Sequence, residues 1–240
     1  MSSEKGNGYI VKVTNACECA AHRAVQNIVS TEESVIMHIA CQVWTGVCVV
    51  VMRDAGPDLM KMAMTRPIPP LQAMMWLKQA ADTVETLHTA GLSHCDIKLE
   101  NICGGQVIDF GSVKQLYRHK ADCHGSTPGY FKESTLGELL TPKFDAYGLA
   151  VTAGVVLHRD MPPKNTELTR EMAQTWGDKR KSVFAEFVGE LFAQATAKGI
   201  SDCLQKQITK LKSEREPEPE LELELEHQQA LPASGRTATI

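Results

Sequence analysis

The stretch His94-Cys95-Asp96-Ile97-Lys98-Leu99-Glu100-Asn101, followed shortly by Val107-Ile108-Asp109-Phe110-Gly111, decides the fold of this chain. An Asp, a Lys two positions on and an Asn five positions on converge on one point when the backbone closes into a compact loop. Gly104-Gly105 reads as a hairpin turn that returns the chain and brings a second carboxylate, Asp109, beside Asn101. Such a group can orient a hydroxyl with Asp96, neutralise a phosphate with Lys98 and hold Mg²⁺ with Asn101 and Asp109. Gly111, after the metal-binding carboxylate, lets the backbone turn sharply.

On both sides of this stretch the texture changes. Upstream, after Pro69-Pro70, Leu71, Met74, Leu77, Ala81, Val84 and Leu87 recur at spacings of three and four. That predicts one helix with a single apolar stripe, and Gly91 stands where its C-terminal cap belongs. Asp54-Ala55-Gly56-Pro57-Asp58 breaks any regular pattern and reads as a linker. Before it, Tyr9 to Val13 reads as a β-branched strand, residues 17–28 as a short helix and Val35 to Trp44 as a strand. Thr45-Gly46 reads as a turn and Val47 to Met52 as a buried strand. Downstream, Phe144 to Leu157 predicts a strongly apolar helix, and residues 183–212 predict one or two more. From Glu214 to Glu226 a Glu stands at every second position, the pattern of a solvated, disordered tail. The expected division is a strand-rich piece at 1–53, a mostly helical piece at 54–212 and an acidic tail at 213–240.

The 240 residues are 43% hydrophobic and 22% charged, which excludes a wholly disordered chain, a collagen-like repeat and a small disulfide-stapled scaffold. The net charge is −4, but residues 214–240 hold seven Glu and two Arg, so the rest is nearly neutral. Electrostatic capture of nucleic acid is therefore not expected. The longest apolar run, Val47 to Met52, is far too short to cross a bilayer. The first residues lack a signal peptide's apolar stretch, and position 2 lacks the Gly needed for myristoylation. No membrane partner is expected. Eight cysteines spread through such a chain predict reduced thiols and an intracellular location, cytoplasmic or nuclear. Cys17-Glu18-Cys19 with His22 matches no common zinc spacing and reads as ordinary thiols.

The residues at 94–111 resemble the eukaryotic-type protein kinases. The family's catalytic-loop pattern H-R-D-L-x-x-x-N and its D-F-G are matched at seven of eight informative positions when Ile97 counts for Leu, Cys95 being the mismatch. The resemblance implies an α+β, two-lobed kinase-like fold with a minimal N-lobe and a mostly helical C-lobe. It also implies transfer of the ATP γ-phosphoryl group to Ser or Thr of protein substrates, with ATP and Mg²⁺ as cofactors. In its terms Asp96 accepts the proton of the attacking hydroxyl, Lys98 stabilises the transferring phosphoryl, and Asn101 and Asp109 hold the metal. Val49 to Leu59 resembles the family's fifth strand and hinge: Met52 is the gatekeeper, backbone groups of Arg53 and Ala55 meet adenine, and Asp58 accepts from the ribose hydroxyls. Asp58 reads equally well as a plain helix N-cap. Gly125 to Tyr130 looks like the end of an activation segment, and Phe144 to Ala150 is similar to the buried helix whose Asp anchors the catalytic loop. Lys98 resembles the Ser/Thr-directed members.

Several departures shape the expectation. Only 51 residues precede Met52. Gly6-Asn7-Gly8 looks like a remnant of the glycine-rich loop, but Tyr9-Ile10-Val11-Lys12-Val13 is the better match to the lysine strand. Lys12 then holds the α/β-phosphates, paired with Glu18, in a segment similar to the family's helix C; the competitor, Glu33, would leave too little chain for the two strands before Met52. Cys95 replaces the arginine that pairs with a phosphorylated loop, so activity should not require that modification. Lys132-Glu133-Ser134 stands where Ala-Pro-Glu is expected, which predicts a looser substrate segment. These simplifications resemble compact viral kinases such as those of herpesviruses, acting in a host cell. The alternatives are a pseudokinase scaffold that binds partners without chemistry and a kinase that phosphorylates a small molecule; an activating partner protein would complete the short N-lobe.

Overall fold

The computed structural model describes residues 8–29, 38–44, 47–163 and 167–214. Four valines, Val47, Val49, Val50 and Val51, stiffen the chain into β3 (Val47–Arg53), the centre of a three-stranded antiparallel sheet. β1 (Tyr9–Asn15) and β2 (His38–Trp44) flank it, with Lys12 opposite Val50 and Tyr9 opposite Arg53. Asn15 ends β1 and caps α1 (Ala16–Ile28), its side chain accepting the Glu18 backbone N–H at 2.9 Å. The predicted start of the second strand at Val35 and the turn at Thr45-Gly46 fall outside the described residues.

α1 turns Cys19 toward the sheet, where Cys48 and Val50 are buried beneath it. Cys19 and Cys48 are joined as a disulfide, their Cα atoms 6.2 Å apart. This corrects the expectation of eight reduced thiols. The two residues are 29 positions apart and meet only because α1 docks on β3. Cys17, Cys95, Cys103, Cys123 and Cys203 are free.

Past the linker, Asp58 caps α2 (Leu59–Thr65), and α3 (Pro70–Thr89) begins with Pro at its first turn. Met74, Leu77, Ala81, Val84 and Leu87 of the predicted stripe are buried, and Gly91 takes the left-handed conformation just beyond the helix end. α4 (Lys143–His158) is buried along its whole length from Phe144 onward, as its uniformly apolar sequence requires. Around it pack α3, α5 (Arg170–Lys179), α6 (Ala185–Phe192) and α7 (Ala197–Ser213). Two lobes result: a small sheet-containing N-lobe and a larger, mostly helical C-lobe. No helix of the described residues is long and apolar enough to cross a membrane. The tail predicted at 213–240 lies outside the described residues beyond Glu214.

The end of α4 carries a pH-sensitive packing contact. His158 sits edge-on to Trp176, ring centroids 4.8 Å apart, and accepts from or donates to Ser182 Oγ at 2.9 Å while Nε2 is buried without a partner. Burial pushes its pKa down to about 4. A depressed histidine stabilises the fold fully above its unfolded value, near 6.5, and that contribution is lost as pH falls toward 4. We expect urea stability to decline across this window, and His158→Phe, which keeps the ring contact, to flatten the decline. An unchanged slope would show that other groups carry the pH dependence.

Candidate active site

Two short hairpin pieces frame the site. β4 (Leu92–Ser93) leads into the loop at 94–101, and β5 (Ile102–Cys103) returns through Gly104-Gly105 as β6 (Gln106–Val107). Both glycines have positive φ, +53° and +91°, as a tight hairpin with two left-handed central residues demands. Cys95 and Asp109 are also left-handed, with φ of 67° and 60°, a conformation held only where surrounding contacts over-determine it. At Cys95 the contacts come from α4. The fully buried Asp145 carboxylate accepts the backbone N–H groups of His94 and Cys95, each at 2.8 Å, together with Ser93 Oγ and His88 Nε2. Burial opposes its ionisation, but the hydrogen bonds from His88 and from the Cys95 N–H outweigh it and hold the carboxyl below the usual carboxylate range.

His94 ties the loop to the following segment. Its ring is buried, which lowers its pKa and keeps it neutral. Nε2 then donates to the Ile108 carbonyl at 3.1 Å, and Nδ1 accepts the Asp96 N–H at 3.3 Å. Asp96 is thereby fixed at the loop's inner edge, 9% exposed. Its Oδ2 lies 2.8 Å from Lys98 Nζ and 3.0 Å from Asn101 Nδ2, and its Oδ1 accepts from Thr127 Oγ1 at 2.7 Å. Lys98 also donates to Thr127 at 2.8 Å, so one hydroxyl bridges the carboxylate and the ammonium. Asn101 donates a second bond to the Asp96 carbonyl, which leaves its amide oxygen as the atom it can offer a cation.

The N-lobe contributes a cation. Lys12 Nζ stands 2.5 Å from Glu18 Oε1 and 2.9 Å from Asp109 Oδ1. Burial lowers the Lys12 pKa, but the two carboxylates outweigh it and raise the value above the ordinary lysine range. Glu18 and Asp109 are both held below theirs: burial works against ionisation, and the Lys12 ammonium prevails. Thr14 Oγ1 donates to the other Glu18 oxygen. The structure thus sets Glu18 against Lys12, while Glu33 lies outside the described residues. Gly111 lets this segment lie close under Glu18: a Cβ here would stand 3.0 Å from the Glu18 carboxyl carbon and push that side chain aside by a few tenths of an ångström. His22, one turn beyond Glu18, meets the Phe110 ring edge-on at 5.9 Å, and His94 meets Phe110 from the other side at 5.3 Å. Ligand atoms of Glu18, His22 and Asp109 lie within 4.8 Å of one another, with the Lys12 ammonium against both carboxylates.

The remaining sequence candidates lie at the end of β3 and in the linker. Arg53 ends β3 opposite Tyr9, Ala55 follows in the linker, and the two residues sit between the lobes' chain segments. Both Asp58 oxygens are engaged by Lys61, one by its backbone N–H at 2.8 Å and one by its ammonium at 3.1 Å, which is the N-cap reading.

Cys95, where an arginine was expected, is buried with Leu116, Ala121, Phe131, Leu140 and Phe144, and burial pushes its thiol up to about 12. An apolar cluster therefore fastens the segment between Leu116 and Leu140. Backbone bonds from Tyr117 to Leu140, Leu140 to His119 and Ala121 to Glu138 close it as a ladder. At Lys132-Glu133-Ser134, where a looser segment was expected, a tether is present. Glu167 accepts both the backbone N–H and the hydroxyl of Ser134, at 2.5 and 2.7 Å. Sequence reasoning missed Thr127 as a site residue, and missed the tether at Glu167. Neither has a local signal, since each partner is about thirty positions away.

A family model described as a protein kinase domain matches residues 7–216. Among curated proteins, the serine/threonine-protein kinase oca2 of Schizosaccharomyces pombe is 28% identical over 156 residues, 60% of this chain. The matched part spans 24% of that protein's length.

Proposed function

The chain belongs to the protein kinase domain family, and from that premise we propose that it transfers the γ-phosphoryl group of ATP to Ser or Thr hydroxyls of proteins. The observation that carries the reading is the Asp96–Lys98–Asn101 cluster, with Asp109 on the segment that β6 leads into, meeting the Lys12–Glu18 pair from the N-lobe. Phosphoryl transfer is catalysed by positioning and electrostatics, and each of these groups has such a task. Asp96 orients the attacking hydroxyl and accepts its proton. Lys98 stabilises charge on the transferring phosphoryl, and Thr127 keeps the two side chains in register. Lys12, steered by Glu18, holds the α- and β-phosphates. The Asn101 amide oxygen and the Asp109 carboxylate are hard oxygen donors, the kind Mg²⁺ selects. These two residues would hold Mg²⁺, which would supply positive charge against the phosphates. Arg53 and Ala55 offer backbone groups for adenine. Ser/Thr preference is supported by Lys98 and by what the fission-yeast relative is called.

The test is transfer of labelled γ-phosphate from Mg-ATP to a mixed protein substrate, followed by acid hydrolysis. Phosphoserine and phosphothreonine should carry the label. Absence of transfer, with cell extract present to supply an activating partner, would favour a partner-binding pseudokinase instead. Because Cys95 sits in an apolar cluster, prior phosphatase treatment should alter the rate by less than about twofold. A larger fall would reveal a phosphate-dependent loop.

A further inference from the structure

Helix α1 carries Glu18 but is lightly held. Of its thirteen residues only Cys19, His22 and Val25 are buried. Cys19 follows Glu18 directly, and its disulfide partner Cys48 lies on β3 opposite Thr14, two positions from Val50, which faces Lys12. One covalent bond therefore joins the helix bearing the glutamate to the strand lying alongside the lysine. The sulfurs are closed off from solvent, Cys19 being 1% and Cys48 0% exposed. A small thiol reaches them only when α1 lifts from the sheet.

We propose that Cys19 and Cys48 form a thiol–disulfide switch that sets the position of α1. Oxidised, the pair pins α1 so that Glu18 meets Lys12; reduced, α1 loosens and the Lys12–Glu18 contact is lost. Glutathione disulfide is the class of oxidant. One protein thiolate attacks a sulfur of glutathione disulfide and releases one glutathione thiolate. The second protein thiolate then attacks the protein sulfur of the mixed disulfide and releases another. Two protein S–H bonds become one S–S bond, two electrons pass to glutathione disulfide, and two glutathione thiols carry away the protons. The consequence for phosphoryl transfer rests on the kinase reading, but the movement of α1 does not.

The experiment equilibrates the whole chain with reduced and oxidised glutathione, then follows it by peptide mapping and by hydrogen exchange. Under oxidising buffer we expect a Cys19 peptide linked to a Cys48 peptide. Under reducing buffer the amides of α1 should exchange about tenfold faster or more, with the C-lobe unaffected. Cys48→Ala should behave as the reduced form in both buffers, and Cys17→Ser, at the exposed thiol, as wild type. Reduced wild type supplies the same comparison if the alanine variant folds poorly. No linked peptide at any glutathione ratio, or equal α1 exchange in both states, overturns the proposal. A chain that switches in this way yet never transfers phosphate keeps the proposal and loses the kinase reading.

Discussion

Asp96→Asn should fold normally and lower the turnover number for phosphoryl transfer by about 10²–10⁴-fold, the usual worth of a positioned proton acceptor. The asparagine is nearly isosteric and can still accept from Thr127 Oγ1, which lies 2.7 Å from the native carboxylate. It cannot take a proton, and its amide nitrogen turns a donor toward Lys98 or Asn101, both now paired with Asp96 Oδ2. On the proposed reading Lys12, Asn101 and Asp109 hold ATP and its metal while Asp96 does not, so KM for ATP should change little. The check is kcat and KM measured alongside a thermal melt. Turnover within tenfold of wild type, with the fold intact, would mean that Asp96 does not accept the proton.

The second large effect is on stability. Asp145→Ala strips an acceptor from two backbone N–H groups, a hydroxyl and an imidazole, all of them buried. Removing one partner from a fully buried charged network costs about 3–5 kcal/mol. That is a large share of the stability of any domain. Urea unfolding followed by tryptophan fluorescence measures it. Asp145→Asn should lose less, since one oxygen remains to accept. The native carboxylate titrates below the ordinary range. Its stabilisation is therefore complete above the unfolded Asp value and lost as pH falls through the depressed one. The Asn variant should lack that acid-side loss. A midpoint for Asp145→Ala within about 1 kcal/mol of wild type would show that water replaces the carboxylate.

Some of this was written locally in the chain. Asp96, Lys98 and Asn101 sit within six consecutive residues, and Gly104-Gly105 dictates the turn that follows, so spacing alone forecasts their convergence. The α3 stripe is likewise a matter of period. Other features have no local trace. α5, Arg170–Lys179, is polar apart from Met172, Ala173 and Trp176, and Gly177 inside it argues against a helix. It forms because Trp176 packs against His158 and Thr169 caps its start. The Cys19–Cys48 bond depends on how α1 docks, which no spacing rule encodes. Asp58 was ambiguous in the sequence because a cap and a ribose acceptor need the same residue before the same helix.

The carboxylate that shapes the loop at 94–101 stands about fifty residues later in the chain. During synthesis the loop leaves the ribosome first and has no acceptor for its N–H groups. At about 5–20 residues per second the wait for α4 lasts several seconds. Until then Cys95 has nothing to hold it left-handed, and Asp96 has no fixed direction. Until α4 docks, the nascent loop therefore lacks the geometry on which the proposed phosphoryl transfer depends.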